Sequence, residues 1–426
     1  MKNKLNDVLK EVLVEIIPST PTIDFMSEEL NHFLEQGNKR LKKLKLDAEF
    51  FVGGSFAKDT VVKKGSYDVD IFLRFDKKYP EEDLPKLTKK VLKKTKGVSK
   101  VHGSREYFKV KISPWFCLEI VPVRRVNNPK ESENITDLSY SHVKFINKKI
   151  KSKKILKEIK LGKAFCHATK TYGAESYVHG FSGYAIELLI YHYKTFEKFL
   201  KEISKKRKTK LIIDPENLYK RPKDVLFELN GSKLISPIIL IDPTYKERNA
   251  LAALSVESLE IFQKAAKKFL KSPTKEAFFP KKLDLDELKK KEIKKGNEFI
   301  FINSKTKKQE GDIAGTKLLK FHRHLVKESE KYFEVKGNGF KYENKKDGKG
   351  YLILKPKKEI IFNGPLEKDE KHAATFKSIH SKTYVENGRL FSKKKIDFSA
   401  KEFFHKWKKD NKRKIKEMYI SKLKFC

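Results

Sequence analysis

The spacing of hydrophobic positions predicts a mixture of helices and strands for the first third of the chain. An apolar stripe at intervals of three and four residues predicts an amphipathic helix close to the N-terminus. The residues of this stripe are Leu5, Val8, Leu9, Val12, Leu13 and Ile16. The period then shortens, and residues 48–52 are predicted as an apolar strand that leads into a Gly-Gly-Ser turn and a short helix. Residues 69–75 alternate strictly, which is typical of a strand with one buried face, and two more strands are predicted at 107–112 and 116–123.

Helical spacing predominates from residue 151 to about residue 270. A long stripe between Ala185 and Leu200 predicts a single helix with Ser182 at its N-cap, and a further helix is predicted after Ser255. Residues 271–297 are polar and rich in lysine, so a connection or an exposed helix is expected there. Short β-like runs then flank a predicted helix near residues 315–330. These runs are 299–302, 332–335, 351–354 and 360–362.

These changes of pattern predict an α+β multidomain fold. A chain of 426 residues is too long for one ordinary core, because a domain usually holds roughly 100–200 residues. We predict a mixed α/β domain at 1–150, a mainly helical domain at 151–270 and a separate α+β region at 271–426.

The charge balance narrows the classes of function. The chain has 97 Lys and Arg residues against 56 Asp and Glu residues, a formal net charge of +41. An excess of this size repels itself unless a polyanion neutralises it, so nucleic acid is the expected partner and an anionic membrane surface is the second candidate. A hydrophobic content of 38% is enough for packed cores and excludes wholesale disorder.

The sequence also predicts a reduced, cytoplasmic protein that does not enter a membrane. No apolar run approaches the ~18 residues of a membrane span, and the first residues lack the apolar region of a signal peptide. Cys117, Cys166 and Cys426 form neither a disulfide framework nor a Cys-x-x-Cys zinc pattern. No basic amphipathic helix or lipidation motif stands out, so the membrane surface is the weaker alternative.

The candidate chemistry follows the strand predicted at 48–52. Gly54 and Ser55 form a turn between a predicted strand and a predicted helix, where backbone N–H groups and a hydroxyl can bind phosphate. Asp68 and Asp70 are two residues apart on a predicted strand, so their carboxylates share a face and repel each other. A divalent cation relieves such repulsion, and Mg²⁺ bound by carboxylates and substrate phosphates is expected. Glu119 supplies a third carboxylate from another predicted strand, as in sites where two ions ~3.5–4 Å apart assist phosphoryl transfer.

Each of these features is ordinary when it is taken alone. An Asp-x-Asp pair usually marks a solvated strand face, and Gly-Gly-Ser is a common turn. Their order along the chain is harder to obtain by chance: a strand, a Gly-Ser turn, an Asp-x-Asp strand and then a strand with a further carboxylate. This order favours the functional interpretation.

Gly54-Ser55 followed by Asp68-Val69-Asp70 resembles the nucleotidyltransferase signature of the DNA polymerase β-like superfamily. More narrowly, the chain resembles the archaeal CCA-adding enzymes, which are tRNA nucleotidyltransferases. Four further groups of segments carry this resemblance. They are 136–145; 161–165 with 172–175 and 180–184; 241–243 with 248–250 and 254–255; and 364–365 with 370–376 and 384–389.

The resemblance implies template-independent addition of C, C and A to the 3′ end of tRNA, with CTP and ATP as substrates and Mg²⁺ as the metal. It implies that Asp68 and Asp70 hold two metal ions, and that Glu119 completes the metal site and helps to deprotonate the attacking 3′-hydroxyl. It further implies a polymerase β-like catalytic head at 1–150, a helical central domain that completes the nucleotide pocket, and a tRNA-binding body and tail at 271–426. A homodimer is suggested by the family.

The resemblance also assigns nucleotide contacts. The candidate nucleotide-binding residues are Gly54, Ser55, Lys58, Ser139, His142, Lys163, Tyr172 and Arg248. Gly54 and Ser55 match contacts to the triphosphate, and Arg248 matches an arginine that reads the base edge of CTP or ATP. Ser139, His142, Lys163 and Tyr172 match positions that contact the incoming nucleotide, mainly its sugar and phosphates.

Several positions depart from the family pattern. Glu119 stands where Asp is usual, Lys58 where Arg is common and Ser139 where Thr is usual, and nothing in the sequence explains Leu138 in place of an Arg. Two alternative functions therefore stay open: a poly(A) polymerase-like terminal nucleotidyltransferase and a catalytically inactive RNA-binding homologue. The lysine-rich segment 403–409, with its interleaved aromatic residues, is a candidate for tRNA contact.

Overall fold

The computed structural model describes residues 2–102, 106–126, 128–131, 135–280, 283–308, 310–342 and 346–426. The chain separates into two compact units, residues 1–281 and residues 282–426. The finer division at residue 150 stays a prediction.

The first part of the 1–281 unit is a five-stranded sheet covered by helices. Its elements are α1 (Lys2–Ile16), α2 (Thr20–Lys43), β1 (Ala48–Val52), β2 (Tyr67–Phe75), α3 (Leu84–Val91), β3 (Val98–His102), β4 (Glu106–Ser113) and β5 (Phe116–Arg124). The strand order is β1-β2-β5-β4-β3, with β2 and β5 parallel and the other neighbours antiparallel. The predicted strands at 48–52, 69–75, 107–112 and 116–123 are confirmed, and β3 was not predicted.

The alternation of β2 decides which face of this sheet carries polar groups. Val69, Ile71, Leu73 and Phe75 are fully buried in a core that includes side chains of α2 and α3. Because successive side chains of a strand point to opposite faces, Asp68 and Asp70 present their carboxylates on the other face of the sheet.

The second part of the 1–281 unit is mainly helical, as predicted. Its elements are α4 (Ser139–Lys149), α5 (Lys153–Ala168), α6 (Gly183–Tyr193), α7 (Phe196–Ile203), β6 (Leu211–Ile213), α8 (Val225–Glu228), β7 (Ile238–Asp242), β8 (Tyr245–Asn249) and α9 (Val256–Lys271). The three strands form a small sheet in the order β6-β7-β8, which was not predicted. The N-terminal helix α1 packs in the core of this helical part through Leu5, Val12 and Ile16.

The single helix predicted between Ala185 and Leu200 is wrong, because two helices occupy this stretch. Lys194 has a φ of +68°, and its N–H donates to the Ile190 carbonyl, which ends α6 in a left-handed cap. Thr195 then caps α7 by accepting from the Lys198 N–H at 3.2 Å. The predicted N-cap at Ser182 is confirmed, since its hydroxyl accepts from the Ala185 N–H at 3.1 Å.

The 282–426 unit is an α+β domain with two antiparallel sheets. Its elements are α10 (Leu285–Lys294), β9 (Glu298–Thr306), α11 (Asp312–Glu330), β10 (Phe333–Tyr342), β11 (Asp347–Pro356), β12 (Glu359–Leu366), α12 (Glu370–Ile379), β13 (Thr383–Glu386), β14 (Arg389–Lys395), α13 (Ala400–Asp410), α14 (Lys412–Glu417) and β15 (Ile420–Phe425). The sheets have the orders β10-β11-β9-β15 and β12-β14-β13.

The aromatic side chains of segment 403–409 belong to the core of this unit. Phe404 is fully buried and Trp407 is 5% exposed, and both pack with residues of α11 and β15. Their helix, α13, is amphipathic, so the interleaved pattern reflects one buried face and not a row of exposed aromatic rings. Phe404 and Trp407 are therefore core residues, and contact of segment 403–409 with tRNA stays a prediction for its exposed lysines.

Within the described ranges, no helix combines the length and the apolarity that crossing a lipid bilayer requires.

Candidate active site

Two parallel strands bring the three predicted carboxylates to one face of the sheet. In the register of β2 and β5, Asp70 lies directly opposite Glu119, and Asp68 lies opposite Cys117. Asp68, Asp70 and Glu119 are all partly buried, whereas Val69 and Leu118 on the other face are fully buried. The shared face predicted from the spacing of Asp68 and Asp70 is confirmed.

Lysines neutralise two of these carboxylates, and the third has no such partner. Lys64 pairs with Asp68 at 2.8 Å, and Lys109 pairs with Glu119 at 2.7 Å. The Asp70 carboxylate makes no hydrogen bond or ion pair with any residue that the structure describes. Burial, followed by the charges of Asp68 and Glu119, raises the pKa of Asp70 to about 7. The site therefore holds more negative charge than its own lysines balance.

The turn after β1 brings the backbone against Asp70. Gly54 has a φ of +61°, and a Cβ atom at this position would lie 1.8 Å from Asp70 Oδ2, so only glycine fits without displacing the carboxylate. The Gly53 N–H donates to the Asp70 carbonyl at 2.8 Å and fixes this approach.

The helix predicted after the Gly-Gly-Ser turn is absent from the described residues 53–66. Residues 54–59 form consecutive turns, in which the Thr60 N–H donates to the Ser55 carbonyl at 2.9 Å. Asp59 has a φ of +49°, which no right-handed helix accommodates. The predicted short helix is therefore wrong, whereas phosphate binding by Gly54 and Ser55 stays a prediction.

A cavity of about 470 Å³ lies over this turn and the carboxylates. Its lining contains seven of the predicted site residues. They are Gly54, Ser55, Lys58, Asp68, Asp70, Lys163 and Tyr172. The structure thus brings together residues from β2, from the turn after β1 and from α5 in one concave site, whose size suits a small phosphorylated ligand.

Glu187 on α6 organises the basic side of the cavity. Its Oε2 accepts from Lys58 Nζ at 2.6 Å, and its Oε1 accepts from Lys163 Nζ at 2.8 Å and from the Thr60 hydroxyl at 3.1 Å. Lys163 also donates to the Thr60 hydroxyl at 2.7 Å. Glu187 is fully buried, and Lys163 and Lys58 are 2% and 8% exposed. Three chain segments are therefore joined by one buried network.

The charges of this network are set by the balance between burial and the ion pairs. Burial raises the pKa of Glu187, but Lys163 and Lys58 outweigh burial and lower that pKa to about 2. Burial lowers the pKa of Lys163 to about 8, against the opposing effect of Glu187. At neutral pH the network holds two ammonium groups and one carboxylate, so it carries a net positive charge beside the cavity.

Tyr172 is held by stacking. Its ring lies 3.7 Å from the ring of His167, centroid to centroid, at an angle of 20°. Burial, with Lys64 and Lys163 nearby, lowers the pKa of His167 to about 4, so this imidazole is neutral at pH 7. A Cβ at Gly183 would lie 2.7 Å from the Tyr172 hydroxyl, which shows how closely α6 approaches this ring.

His142 and Arg248 meet at a second buried carboxylate, Asp242 at the end of β7. Asp242 Oδ2 contacts His142 Nε2 at 3.0 Å and accepts from Arg248 Nη1 at 2.7 Å. Asp242 Oδ1 accepts from the Tyr184 hydroxyl at 2.9 Å. Although burial raises the pKa of Asp242, His142 and Arg248 lower it strongly, and the carboxylate is ionised.

Tyr184 connects the two networks. Its ring stacks on His142 with a centroid distance of 3.9 Å, and Lys58 Nζ lies 5.9 Å from the centre of the same ring. Tyr184 also lines the cavity, whereas Glu119, Ser139, His142 and Arg248 are not among the described lining residues. Ser139 begins α4, one helical turn before His142. His142 and Arg248 therefore do not line the cavity but lie one contact behind its wall.

Sequence reasoning missed Glu187, Thr60, Tyr184 and Asp242 as members of these networks. A signal for Glu187 was present, because it is a single carboxylate inside the apolar run Ala185-Ile186-Glu187-Leu188-Leu189. A buried charge requires a partner, so such a residue marks a network even when its partners are unknown.

Comparisons with known proteins identify two domains in the 1–281 unit. A nucleotidyltransferase domain model matches residues 34–161, and a model of the second domain of tRNA nucleotidyltransferases matches residues 157–279. The CCA-adding enzyme of Nanoarchaeum equitans is 42% identical over 214 residues, which are 50% of this chain and 53% of that enzyme. The chain is thus similar to archaeal CCA-adding enzymes.

Two further CCA-adding enzymes extend the match. The CCA-adding enzyme of Thermococcus gammatolerans is 30% identical over 298 residues, covering 68% of this chain and 64% of that enzyme. The CCA-adding enzyme of Pyrococcus abyssi is 31% identical over 286 residues, covering 65% of this chain and 62% of that enzyme. The chain thus spans between half and two thirds of the length of these curated relatives.

Solved structures support the fold. The Cid1 poly(U) polymerase superposes with a TM-score of 0.51 at 13% identity, covering 66% of this chain and all of that chain. A cytoplasmic RNA terminal U-transferase gives a TM-score of 0.50 at 12% identity, with the same shares covered. The predicted α+β multidomain fold with a polymerase β-like nucleotidyltransferase head is confirmed.

Nucleotidyltransferases of this family generally use divalent metal ions, and the carboxylate face fits one in part. Asp68 and Asp70 offer hard oxygen donors, and burial, followed by the charges of Asp68 and Glu119, raises the pKa of Asp70, which a bound cation would oppose. Among the described residues, however, no group of three or more His, Cys, Asp or Glu side chains is arranged to hold an ion. Glu119 is turned to Lys109, so its role as a third metal ligand stays a prediction.

Proposed function

We propose that the chain is a tRNA nucleotidyltransferase that adds C, C and A to the 3′ end of tRNA from CTP and ATP. The observation that carries this proposal is the cavity of about 470 Å³, because Asp68 and Asp70 line it together with the buried lysines Lys58 and Lys163. Template-independent transfer needs such a pairing of carboxylates with fixed cations: the carboxylates serve the reacting oxygens, and the cations serve the triphosphate.

Lys58 and Lys163 bind the triphosphate in this proposal. An ammonium group has three N–H donors. Contacts to Glu187 and Thr60 use one donor of Lys58 and two of Lys163, so three N–H donors of the pair remain for phosphate oxygens. Since Glu187 fixes both side chains before the nucleotide arrives, the phosphates meet donors that are already oriented. Gly54 and Ser55 offer their backbone N–H groups and a hydroxyl beside the same cavity.

Arg248 and His142 serve base selection in this proposal. Asp242 holds one guanidinium nitrogen of Arg248, and Tyr184 links this pair to the cavity wall. A planar guanidinium in a fixed orientation presents a rigid set of donors, which suits the acceptor-bearing edges of cytosine and adenine. His142 is neutral, because burial lowers its pKa, and it supports the Tyr184 ring by stacking.

The reaction joins the 3′-oxygen of tRNA to the α-phosphorus of CTP or ATP and releases pyrophosphate. Mg²⁺ held by Asp68 and Asp70 would neutralise the negative charge that develops on the phosphoryl oxygens and on the leaving group. Glu119 lies opposite Asp70 in the register of the two strands and would help to accept the proton of the 3′-hydroxyl. Lys163 keeps a positive charge on the triphosphate side of the cavity.

The partners and the location follow from the same proposal. A net charge of +41 suits the phosphates of tRNA, whose duplex arms are recognised by shape, 2′-hydroxyls and phosphates. We propose that the C-terminal α+β region takes part in tRNA binding, that the protein acts in the cytoplasm and that it forms a homodimer. Binding to tRNA should weaken steeply with salt, because counterions are released when lysines neutralise phosphates.

Nucleotide addition to tRNA that lacks its CCA end tests the reaction and the site together. Mg²⁺ is supplied with CTP alone, with ATP alone and then with both nucleotides, and the wild type is compared with Asp70→Ala. Growth by two C residues and one A residue, lost in the variant, is expected.

The other outcomes of this experiment separate the alternatives. Repeated addition of A would assign the chain to the poly(A) polymerase-like transferases. Tight tRNA binding without any incorporation would instead leave an RNA-binding protein that has lost the chemistry.

A further inference from the structure

A basic groove of about 820 Å³ lies in the helical part of the 1–281 unit and shares no described lining residue with the nucleotide cavity. It is formed by the end of α7, the segment 205–210, the residues before β7 and one face of α9. Its lining holds seven Lys and Arg residues against one carboxylate, Glu260. The whole chain has 97 Lys and Arg residues against 56 Asp and Glu residues, so the ratio of cations to carboxylates in the groove is far higher than the chain's lysine content alone explains.

Four of these cations have no carboxylate partner within the described residues. Lys206 and Lys208 come from the segment after α7, and Lys264 and Lys267 come from α9. All four are exposed, and none forms an ion pair with a residue that the structure describes. By contrast, Lys205 and Arg207 in the same segment pair with Glu202. Placing four unpaired cations around one concavity costs repulsion unless an anionic ligand occupies it.

The same groove exposes apolar side chains. Ile235 is 76% exposed and Val256 is 57% exposed, although both stand beside the cations of the lining. A ligand that fits this groove therefore alternates anionic groups with flat apolar groups along several repeating units. A strand of RNA with unpaired bases has this chemistry, because phosphates meet the lysines while bases pack on apolar side chains. A bilayer is flat and cannot enter a concave groove.

The groove is preformed. Gln263 Nε2 donates to the Ile203 carbonyl at 2.8 Å and ties α9 to the end of α7. The lining positions on α9, from Val256 to Lys267, recur at intervals of three and four residues and therefore share one helix face. Both sets of cations are thus carried by elements that are fixed to each other.

We propose that this groove is a second RNA-binding site, which takes a single-stranded segment through its phosphates at Lys206, Lys208, Lys264 and Lys267. The choice of RNA over another polyanion rests on the proposed function, whereas the site itself rests on the groove. It gives the protein a contact with RNA that is separate from the cavity where the nucleotide reacts.

The test measures the salt dependence of RNA binding in two variants that lose the same charge. One carries Lys206→Gln, Lys208→Gln, Lys264→Gln and Lys267→Gln. The matched control carries Lys89→Gln, Lys90→Gln, Lys93→Gln and Lys94→Gln, four exposed lysines at the end of α3 and just after it, none of which lines the groove or the nucleotide cavity. The probe is a fluorescent 12-nucleotide oligouridylate, measured in EDTA without nucleoside triphosphates and at several salt concentrations. Equal urea midpoints for both variants and the wild type confirm that the folds are intact.

The expected result is a change confined to the groove variant. Each phosphate contact of a single strand contributes about 0.7 to the slope of log affinity against log salt, so four lost contacts reduce that slope by about 3. The control should retain the wild-type slope and affinity. Equal changes in the two variants, or none in either, would overturn the groove as a site. Ile235→Ser should weaken oligouridylate binding but not the binding of inorganic polyphosphate.

A different ligand and a different reaction each have a distinct signature in this assay. Tighter binding of a 12-residue oligoglutamate than of oligouridylate, lost in the groove variant, would replace RNA by an acidic protein partner. Because the assay contains neither metal nor nucleotide, it is independent of catalysis. If the wild-type protein adds no nucleotide to tRNA but only the groove variant loses salt dependence, the proposed reaction is wrong and the groove site stands. If the protein adds nucleotides but the groove variant keeps the wild-type salt dependence, the groove site is wrong and the reaction stands.

Discussion

Two charged clusters border the nucleotide cavity, and they balance their charges in opposite ways. Around Glu187, one fully buried carboxylate serves two buried lysines and a threonine hydroxyl. On β2 and β5, three carboxylates share one face, and the two lysines that pair with them are about 40% exposed on their side chains. The first cluster has more cations than anions, and the second has more anions than cations.

The difference indicates which cluster is part of the folded framework and which awaits a ligand. A buried network of hydrogen-bonded charges gains strength from the low local dielectric, so the lysines near Glu187 are held in place. Half-exposed pairs such as Lys64–Asp68 are worth at most about 1 kcal/mol and can be exchanged at little cost. In the proposed function, a triphosphate and divalent cations would supply the opposite charges that the two clusters lack.

Glu187→Gln should have the largest effect on stability. The amide has nearly the same shape as the carboxylate, but it leaves two buried ammonium groups without a counter-charge. Breaking a buried ion pair in this way typically costs about 3–5 kcal/mol, so the free energy of unfolding should fall by that amount in a urea titration.

A smaller variant in the same network sets the scale for this result. Thr60→Val removes a hydroxyl that bonds both Glu187 and Lys163, and it should cost about 1–2 kcal/mol. A Glu187→Gln loss no larger than the Thr60→Val loss would mean that the buried charge is not what holds this side of the cavity.

Asp70→Asn should lower activity without lowering stability. In the proposed reaction it removes a ligand charge, and single-turnover CTP incorporation should slow on the order of 10²–10³-fold, about 3–4 kcal/mol. The metal-free protein should be as stable as the wild type or more stable, because one of three mutually repelling carboxylates is neutralised. Destabilisation by more than about 1 kcal/mol would place Asp70 with the framework and erase the contrast between the clusters.

The sequence alone predicted the carboxylate cluster better than the lysine cluster, for a physical reason. The period of a strand is a local property, so the shared face of Asp68 and Asp70 follows from their spacing. Lys58 and Glu187 are 129 positions apart along the chain, and no local pattern states that they meet. The family resemblance placed Lys58 and Lys163 at the nucleotide but said nothing of the carboxylate between them.

Failures elsewhere in the fold have similar causes. The break between α6 and α7 depends on a left-handed lysine, Lys194, which carries no composition signal of the kind that glycine gives. The stretch after the Gly-Gly-Ser turn was predicted as a short helix. Its shape is set instead by the approach of the backbone to Asp70, a residue of another strand.

His142→Gln should remove a sensitivity of the folded state to acid. This sensitivity arises where His142 contacts the buried carboxylate of Asp242. Burial lowers the pKa of His142 from 6.5; Asp242 opposes this, and Arg248 adds to the lowering. The folded protein therefore binds this proton less readily than the unfolded chain. The free energy of unfolding should fall as the pH drops below about 6.5, by at most about 1.4 kcal/mol per pH unit for one proton. Urea titrations of the two proteins should be compared between about pH 7.5 and about pH 5.5, roughly one unit either side of 6.5.

This comparison extends the contrast between buried and half-exposed clusters. Glutamine can still donate to Asp242, so the stability of the variant at pH 7.5 should change less than its dependence on pH. Parallel curves for wild type and variant would show that protonation of His142 is not coupled to unfolding.

Lys109→Gln should have the smallest effect on stability and is the sharpest test of Glu119. The pair between Lys109 and Glu119 is partly exposed, and its loss should change the free energy of unfolding by less than about 1 kcal/mol. If Glu119 is a third metal ligand, removing its lysine frees the carboxylate. Mn²⁺ should then bind about 3–5-fold more tightly by calorimetry, as release of a pair worth up to about 1 kcal/mol allows.

Lys111→Gln is the matched control, because Lys111 is an exposed lysine two residues along the same strand. Equal Mn²⁺ affinities in the two variants would exclude Glu119 from the metal site and leave Asp68 and Asp70 as its only carboxylates among the described residues of this face.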